Sequence, residues 1–194
     1  MRRQLQIAIL MTALTTVIFG LLYPLAVTGL AQLFWPAQAN GSLIKRDGKI
    51  IGSELLAQGF SSPAYFHPRP SAAGDGYDAI NSGGTNLAPT NHLLIERVNR
   101  EAAQLLQDGS PGDRKQGVPI DLVTMSASGL DPDITPAAAD FQVARIARER
   151  GMTQAELRRL VRRHTRGRQF GVFGEPRVNV LELNLALDAE WPLR

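Results

Sequence analysis

No charged side chain lies between Arg3 and Lys45. Within that gap, residues 7–30 are dominated by Ile, Leu, Val, Ala and Thr. A helix crossing the hydrocarbon core needs about 20 predominantly apolar residues, so this stretch is long enough to span a bilayer with some tilt. Phe34 and Trp35 follow, where an aromatic belt meets the far headgroups. Pro24 predicts a kink, because its missing N–H frees a carbonyl that another group must satisfy. Ala37-Gln38-Ala39 fits the small-residue pattern of a signal-peptide cleavage site, but the apolar core of such a signal is only about 7–15 residues long. The length therefore favours a retained anchor. Arg2 and Arg3 hold the short N-terminal end inside, which places the remainder outside the cytoplasm. Thr12, Thr16 and Gly20 recur every four residues, a small-residue stripe against which a partner helix can approach closely. The same residues also suit an ordinary span whose threonines bond to their own backbone.

Behind the anchor, roughly 155 residues remain, enough for one domain with its own core. The chain is divided here into residues 1–38, the transmembrane anchor, and residues 39–194, an extracytoplasmic domain. Cysteine is absent, which excludes disulfides, thiolate metal sites and a cysteine nucleophile. His67, His92 and His164 show no metal-ligand spacing, so no metal site is expected.

Residues 43–51 read as a hairpin turning on Asp47-Gly48. Residues 59–91 are dense in Gly, Pro, Ser and Asn but carry Phe60, Tyr65, Phe66 and Tyr77. A flexible linker lacks such aromatics, so an ordered irregular segment is expected. A helix is predicted from about Thr90 to Leu106, with Leu94, Val98, Ala102 and Leu105 on one face, followed by a break over residues 108–113. Residues 118–124 fit a buried strand. Thr135 caps a helix that opens on Pro136 and stops at Gly151. Thr153 and Glu156 form a capping box for the next helix. Asn179 and Glu182 have the same spacing, so residues 180–187 fit a last helix, although the apolar run also fits a strand. The fold class is α+β: one N-terminal transmembrane helix, then a single mixed soluble domain.

Three groups of residues invite chemistry. Asn81-Ser82-Gly83-Gly84-Thr85 offers two glycines, backbone amides and hydroxyls that can cradle a phosphate, yet no Gly-Lys-Ser/Thr follows and a structural turn needs the same residues. Asp121, Asp131 and Asp133 can attract a cation, or fix turns leading into Thr135. From residue 145 to 177 there are ten arginines against three glutamates. Nucleic acid is not the expected partner, since the aromatic interleaving of a single-strand platform is missing. A solvated face is the simple reading, and anionic lipid headgroups or an acidic partner surface the functional one. No nucleophile stands with a base, so no independent catalytic site is expected.

Several stretches in order along the chain resemble the C subunit of the Kdp potassium-transporting P-type ATPase. They are Gln58-Gly59-Phe60-Ser61-Ser62-Pro63-Ala64-Tyr65-Phe66 with Arg69-Pro70-Ser71; Ser82-Gly83-Gly84-Thr85-Asn86-Leu87-Ala88-Pro89-Thr90-Asn91; Asp121-Leu122-Val123-Thr124 with Ser128-Gly129-Leu130-Asp131-Pro132; and Gly174-Glu175-Pro176-Arg177-Val178-Asn179-Val180-Leu181. The resemblance implies an accessory subunit of a high-affinity, ATP-driven potassium importer in the bacterial inner membrane, its domain periplasmic. Its implied partners are a channel-like potassium-binding subunit and an ATP-hydrolysing subunit. The implied role is assembly and catalytic chaperoning, which raises the hydrolytic subunit's affinity for ATP. The resemblance also implies nucleotide contact at Asn81, Ser82, Gly83, Gly84 and Thr85, where Asn81 replaces the glutamine of many members. That contact conflicts with the anchor's orientation, which puts the loop outside and ATP inside. A domain capping the outer mouth of the ion pathway fits that orientation.

Overall fold

A computed structural model of the chain describes residues 1–108 and 117–193. The backbone forms two compact units, Met1–Ile51 and Gly52–Arg194. The predicted break over residues 108–113 lies, past Asp108, outside the described residues.

The first unit is built on a continuous helical stretch, Arg2–Phe34, long and apolar enough to cross a membrane. It comprises α1 (Arg2–Thr15), a π-helical segment (Thr16–Leu22) and α2 (Tyr23–Phe34). A kink is predicted at Pro24, and the wider segment ends at Leu22, just before it. Pro24 has no N–H, and the Tyr23 N–H before it bonds back to Ile18 O, five residues earlier. Local π geometry of this kind re-satisfies a backbone that proline interrupts. Thr15 Oγ1 bonds to Met11 O at 2.8 Å, as threonines in a span commonly do. A Cβ added at Gly20 would lie 3.7 Å from the Thr16 methyl, so these two residues share a face. A short helix α3 (Pro36–Ala39) follows, then β1 (Leu43–Arg46) and β2 (Lys49–Ser53). The predicted hairpin forms, with Asp47 and Gly48 at φ 51° and 75°, the positive values that its tight turn requires.

The second unit has its core between helices and a small sheet. α4 (His92–Asp108) begins two residues later than predicted, because Asn91, not Thr90, accepts the Leu93 N–H on its side chain. β3 (Asp133–Ile134) leads into α5 (Pro136–Arg150), capped by Thr135 and ended by Gly151 at φ 65°. α6 (Gln154–Arg163) opens on the complete Thr153–Glu156 capping box. β4 (Thr165–Arg166) and β5 (Arg177–Asn179) complete an antiparallel sheet ordered β3-β5-β4, with Ile134 and Thr165 both opposite Val178. α7 (Val180–Glu190) follows directly, its first turn capped by Asn179. The helix alternative for this last run is therefore the observed one.

Val143 and Ile146 of α5, Leu157 and Leu160 of α6, Leu183 and Leu187 of α7, and Val178 of β5 are all fully buried. Each such side chain contributes about 1.5–3 kcal/mol of burial free energy. Phe66, from the irregular segment, is equally buried among them. The expected strand at residues 118–124 is absent. Ile120–Leu122 is one turn of 3-10 helix, closed by Leu122 N–H to Pro119 O and Val123 N–H to Ile120 O. Leu122 and Val123 are buried and Val118 packs against the core, while Ile120 is exposed. An apolar run this short does not distinguish a strand from a turn.

Candidate functional site

The irregular segment is fixed by side chains from the helices. Asn184 of α7 accepts the Phe66 N–H at 2.9 Å and returns its Nδ2 to Phe66 O at 2.9 Å. Gln142 of α5 treats the next residue alike, accepting from His67 N–H at 2.8 Å and donating to His67 O at 3.0 Å. Two amide side chains thus stand where a neighbouring strand would. Arg145 donates to Pro63 O and Tyr65 O. Arg150, its side chain almost fully buried, donates to Ala64 O and Trp191 O and pairs with Asp188 at 2.8 Å. Buried backbone groups without a ladder must find partners, and here each arginine serves several carbonyls at once. Burial pushes the His67 imidazole below its ordinary range, and its Nε2 lies 3.0 Å from Ser62 O.

Past this point three stretches of chain close on one another. Ser71 Oγ donates to Gly129 O at 2.6 Å and accepts from the Ala73 and Tyr77 amides. The Tyr77 hydroxyl donates to Arg69 O. The Arg69 guanidinium reaches Thr124 O and Met125 O and pairs with Asp131 at 3.0 Å. Gly129 has φ 69°, and a Cβ there would stand 2.7 Å from both Ala73 N and Gly83 O. Only glycine fits, on both conformation and space.

The Asn81-Ser82-Gly83-Gly84-Thr85 loop is one wall of this clasp. Ser82 Oγ and the Gly83 N–H both donate to Ser128 O, each at 2.9 Å. A Cβ at Gly84 would lie 2.9 Å from Ala127 O. Asn81 Nδ2 donates to Asp78 at 2.6 Å, and that bond is the main reason the Asp78 carboxyl sits below its usual range. Two of the donors that a phosphate cradle would use, Ser82 Oγ and Gly83 N–H, are therefore committed within the chain.

Asp121, Asp131 and Asp133 do come together. They line one open cavity of ≈ 410 Å³ with Arg69, Glu175 and Arg177. Asp121 is buried and accepts the Thr135 N–H at 2.8 Å. Asp131 pairs with Arg69 and also accepts the Asp133 N–H. Asp133 pairs with Arg177 at 2.9 Å, yet burial outweighs that guanidinium and raises its pKa. With arginine on two of the three carboxylates, the cavity carries mixed charge. Among the described residues, no three His, Asp or Glu side chains group as metal ligands.

The arginines of residues 145–177 divide by role. Arg145 and Arg150 hold the irregular segment, whereas Arg158, Arg163, Arg166, Arg168 and Arg177 form surface pairs with Asp140, Glu190, Glu182, Glu175 and Asp133. Sequence reasoning named the loop at residues 81–85 but missed Arg69, Ser71, Tyr77 and Ser128, which position it. Their partners lie 2 to 62 residues away, and the long-range ones leave no local signal.

A family model described as "K+-transporting ATPase, c chain" matches residues 5–189. The "Potassium-transporting ATPase KdpC subunit" of Koribacter versatilis is 57% identical over 193 residues, covering 100% of this chain and 98% of its own length. The protein of the same description from Acidobacterium capsulatum is 58% identical over 184 residues (95% and 97% covered), and that from Rhodospirillum rubrum 54% identical over 195 residues (100% and 99% covered). The match spans the N-terminal helix and the soluble unit alike, so the chain belongs to the KdpC family, the c chain of the potassium-transporting ATPase, whose transported ion is potassium.

Proposed function

We propose that this chain is the accessory subunit that assists assembly of the pump and promotes ATP binding by the hydrolytic subunit, acting from the outer side of the bacterial inner membrane. The N-terminal end is cytoplasmic, residues 1–38 anchor the chain, and the domain from residue 39 onward is periplasmic. Its partners are the channel-like potassium-binding subunit and the ATP-hydrolysing subunit, with membrane lipid around the span. Thr12, Thr16 and Gly20 face a partner helix within the membrane. Potassium approaching the outer mouth is the ion that Asp121, Asp131 and Asp133 would meet.

The observation that carries this reading is the family match through both units, joined to a loop at residues 81–85 in which Ser82 Oγ and the Gly83 N–H are both committed to Ser128 O. A loop so committed acts as a structural clasp, and its effect on ATP affinity runs through the partners. Deleting the chain while the other subunits are expressed tests the proposal. ATP-driven potassium uptake, or the isolable complex, should be lost and should return with the wild-type chain. Normal uptake and assembly without the chain would sink the proposal.

A further inference from the structure

Between β4 and β5 the chain makes a short projecting turn, and its tip is apolar. Phe170 is 86% exposed, Val172 69% and Phe173 66%. The turn is closed by its own backbone: the Gln169 N–H donates to Phe173 O at 2.8 Å, and the Phe173 N–H returns to Gln169 O at 2.9 Å. Phe170 is held at φ 54°, a conformation that a bulky L residue adopts only with strain. The free chain therefore meets two costs at this tip, exposed aromatic surface and a strained backbone.

The base of the turn has mixed charge. Arg166 and Arg177 face each other across the strands, a repulsive arrangement offset by carboxylates on each side. Arg166 pairs with Glu182 at 2.6 Å, Arg177 with Asp133 at 2.9 Å, and Arg168 binds both oxygens of Glu175 at 2.8 Å. An apolar centre with a rim of solvated polar groups is the anatomy of a protein–protein contact. Phenylalanine and arginine are also among the residues enriched there. A plane of anionic headgroups complements one sign of charge only, and a bilayer accepts apolar groups without needing them rigidly presented.

We propose that this hairpin tip is a docking element for another subunit of the pump. The partner surface is an apolar socket rimmed by both carboxylate and basic side chains. The proposal rests on the chain's being a subunit of that complex and adds the surface by which the soluble unit engages it.

The test uses the intact complex in its membrane, with Phe170 replaced by the photoreactive p-benzoylphenylalanine. Irradiation should link this chain to another pump subunit, and the same probe at Ile80, 92% exposed on a different loop, should not. In parallel, Phe170→Asp with Phe173→Asp should weaken retention of the chain in the purified complex by about tenfold or more. Its far-ultraviolet circular dichroism should be unchanged, since both side chains are already in water. Adducts with lipid alone, with a second copy of this chain alone, or with nothing while the complex copurifies would overturn the docking surface and leave the subunit assignment intact. Wild-type retention of the double variant would overturn it as well. Failure of the unmodified chain to copurify would instead remove the subunit assignment itself.

Discussion

Asn184 and Gln142 show how much of this domain depends on single amides. Each fills the donor and the acceptor of one buried residue in a segment that has no ladder of its own. Asn184→Leu preserves volume but leaves the Phe66 N–H and C=O unpaired in the core. The expected loss is about 2–4 kcal/mol in urea unfolding of the soluble unit, because orphaned buried groups cost more than a hydrogen bond gains. His67 adds a pH dependence. Its pKa lies lowest in the folded state, chiefly through burial and further through Arg145. Between that value and the ordinary histidine range the unfolded chain binds more protons. Stability is therefore full above the ordinary range and falls as pH drops through it. In His67→Gln, whose side chain can still donate to Ser62 O, unfolding followed from pH 7.5 down to about pH 5 should show a flatter acid limb. An unchanged slope would mean that another group titrates there. None of these pairings could be read from the sequence, since Asn184 and Phe66 are 118 positions apart.

At the scale of elements, the legible features were those written within four residues. Thr135 with Pro136, the Thr153–Glu156 box, the stop at Gly151 and the Asp47-Gly48 turn are each a local contest between backbone groups and nearby side chains, and each is observed. Thr153→Ala removes the acceptor for the Glu156 N–H and should cost about 1 kcal/mol, measured as a lower thermal midpoint with unchanged far-ultraviolet spectrum at 20 °C. A midpoint equal to wild type would show that the box contributes nothing beyond solvent. Residues 118–124 depart from the expected strand where local pattern competes with tertiary demand, whereas the start of α4 shifts by a local choice of cap. Asp121 is drawn to the Thr135 amide, and Asn91 displaces Thr90 as cap. The candidate loop at residues 81–85 was visible as a glycine-rich turn. What it rests on was not, because Ser128 and Gly129 meet it only once the chain has folded.

For the whole molecule, the uncharged N-terminal stretch and the loop bonded to Ser128 constrain function together. A helix long enough to cross a membrane precedes a soluble unit whose family serves a potassium-transporting ATPase. On the proposed topology this unit works from the outer side and influences ATP use through its partners. Membrane sidedness tests that most directly, and a chain without cysteine makes the experiment clean. Ile80→Cys places one thiol at an exposed position beside residues 81–85 without removing a hydrogen bond. A membrane-impermeant maleimide should label it in intact spheroplasts as fully as after permeabilisation. Labelling only after permeabilisation would put the loop on the ATP side and contradict the account.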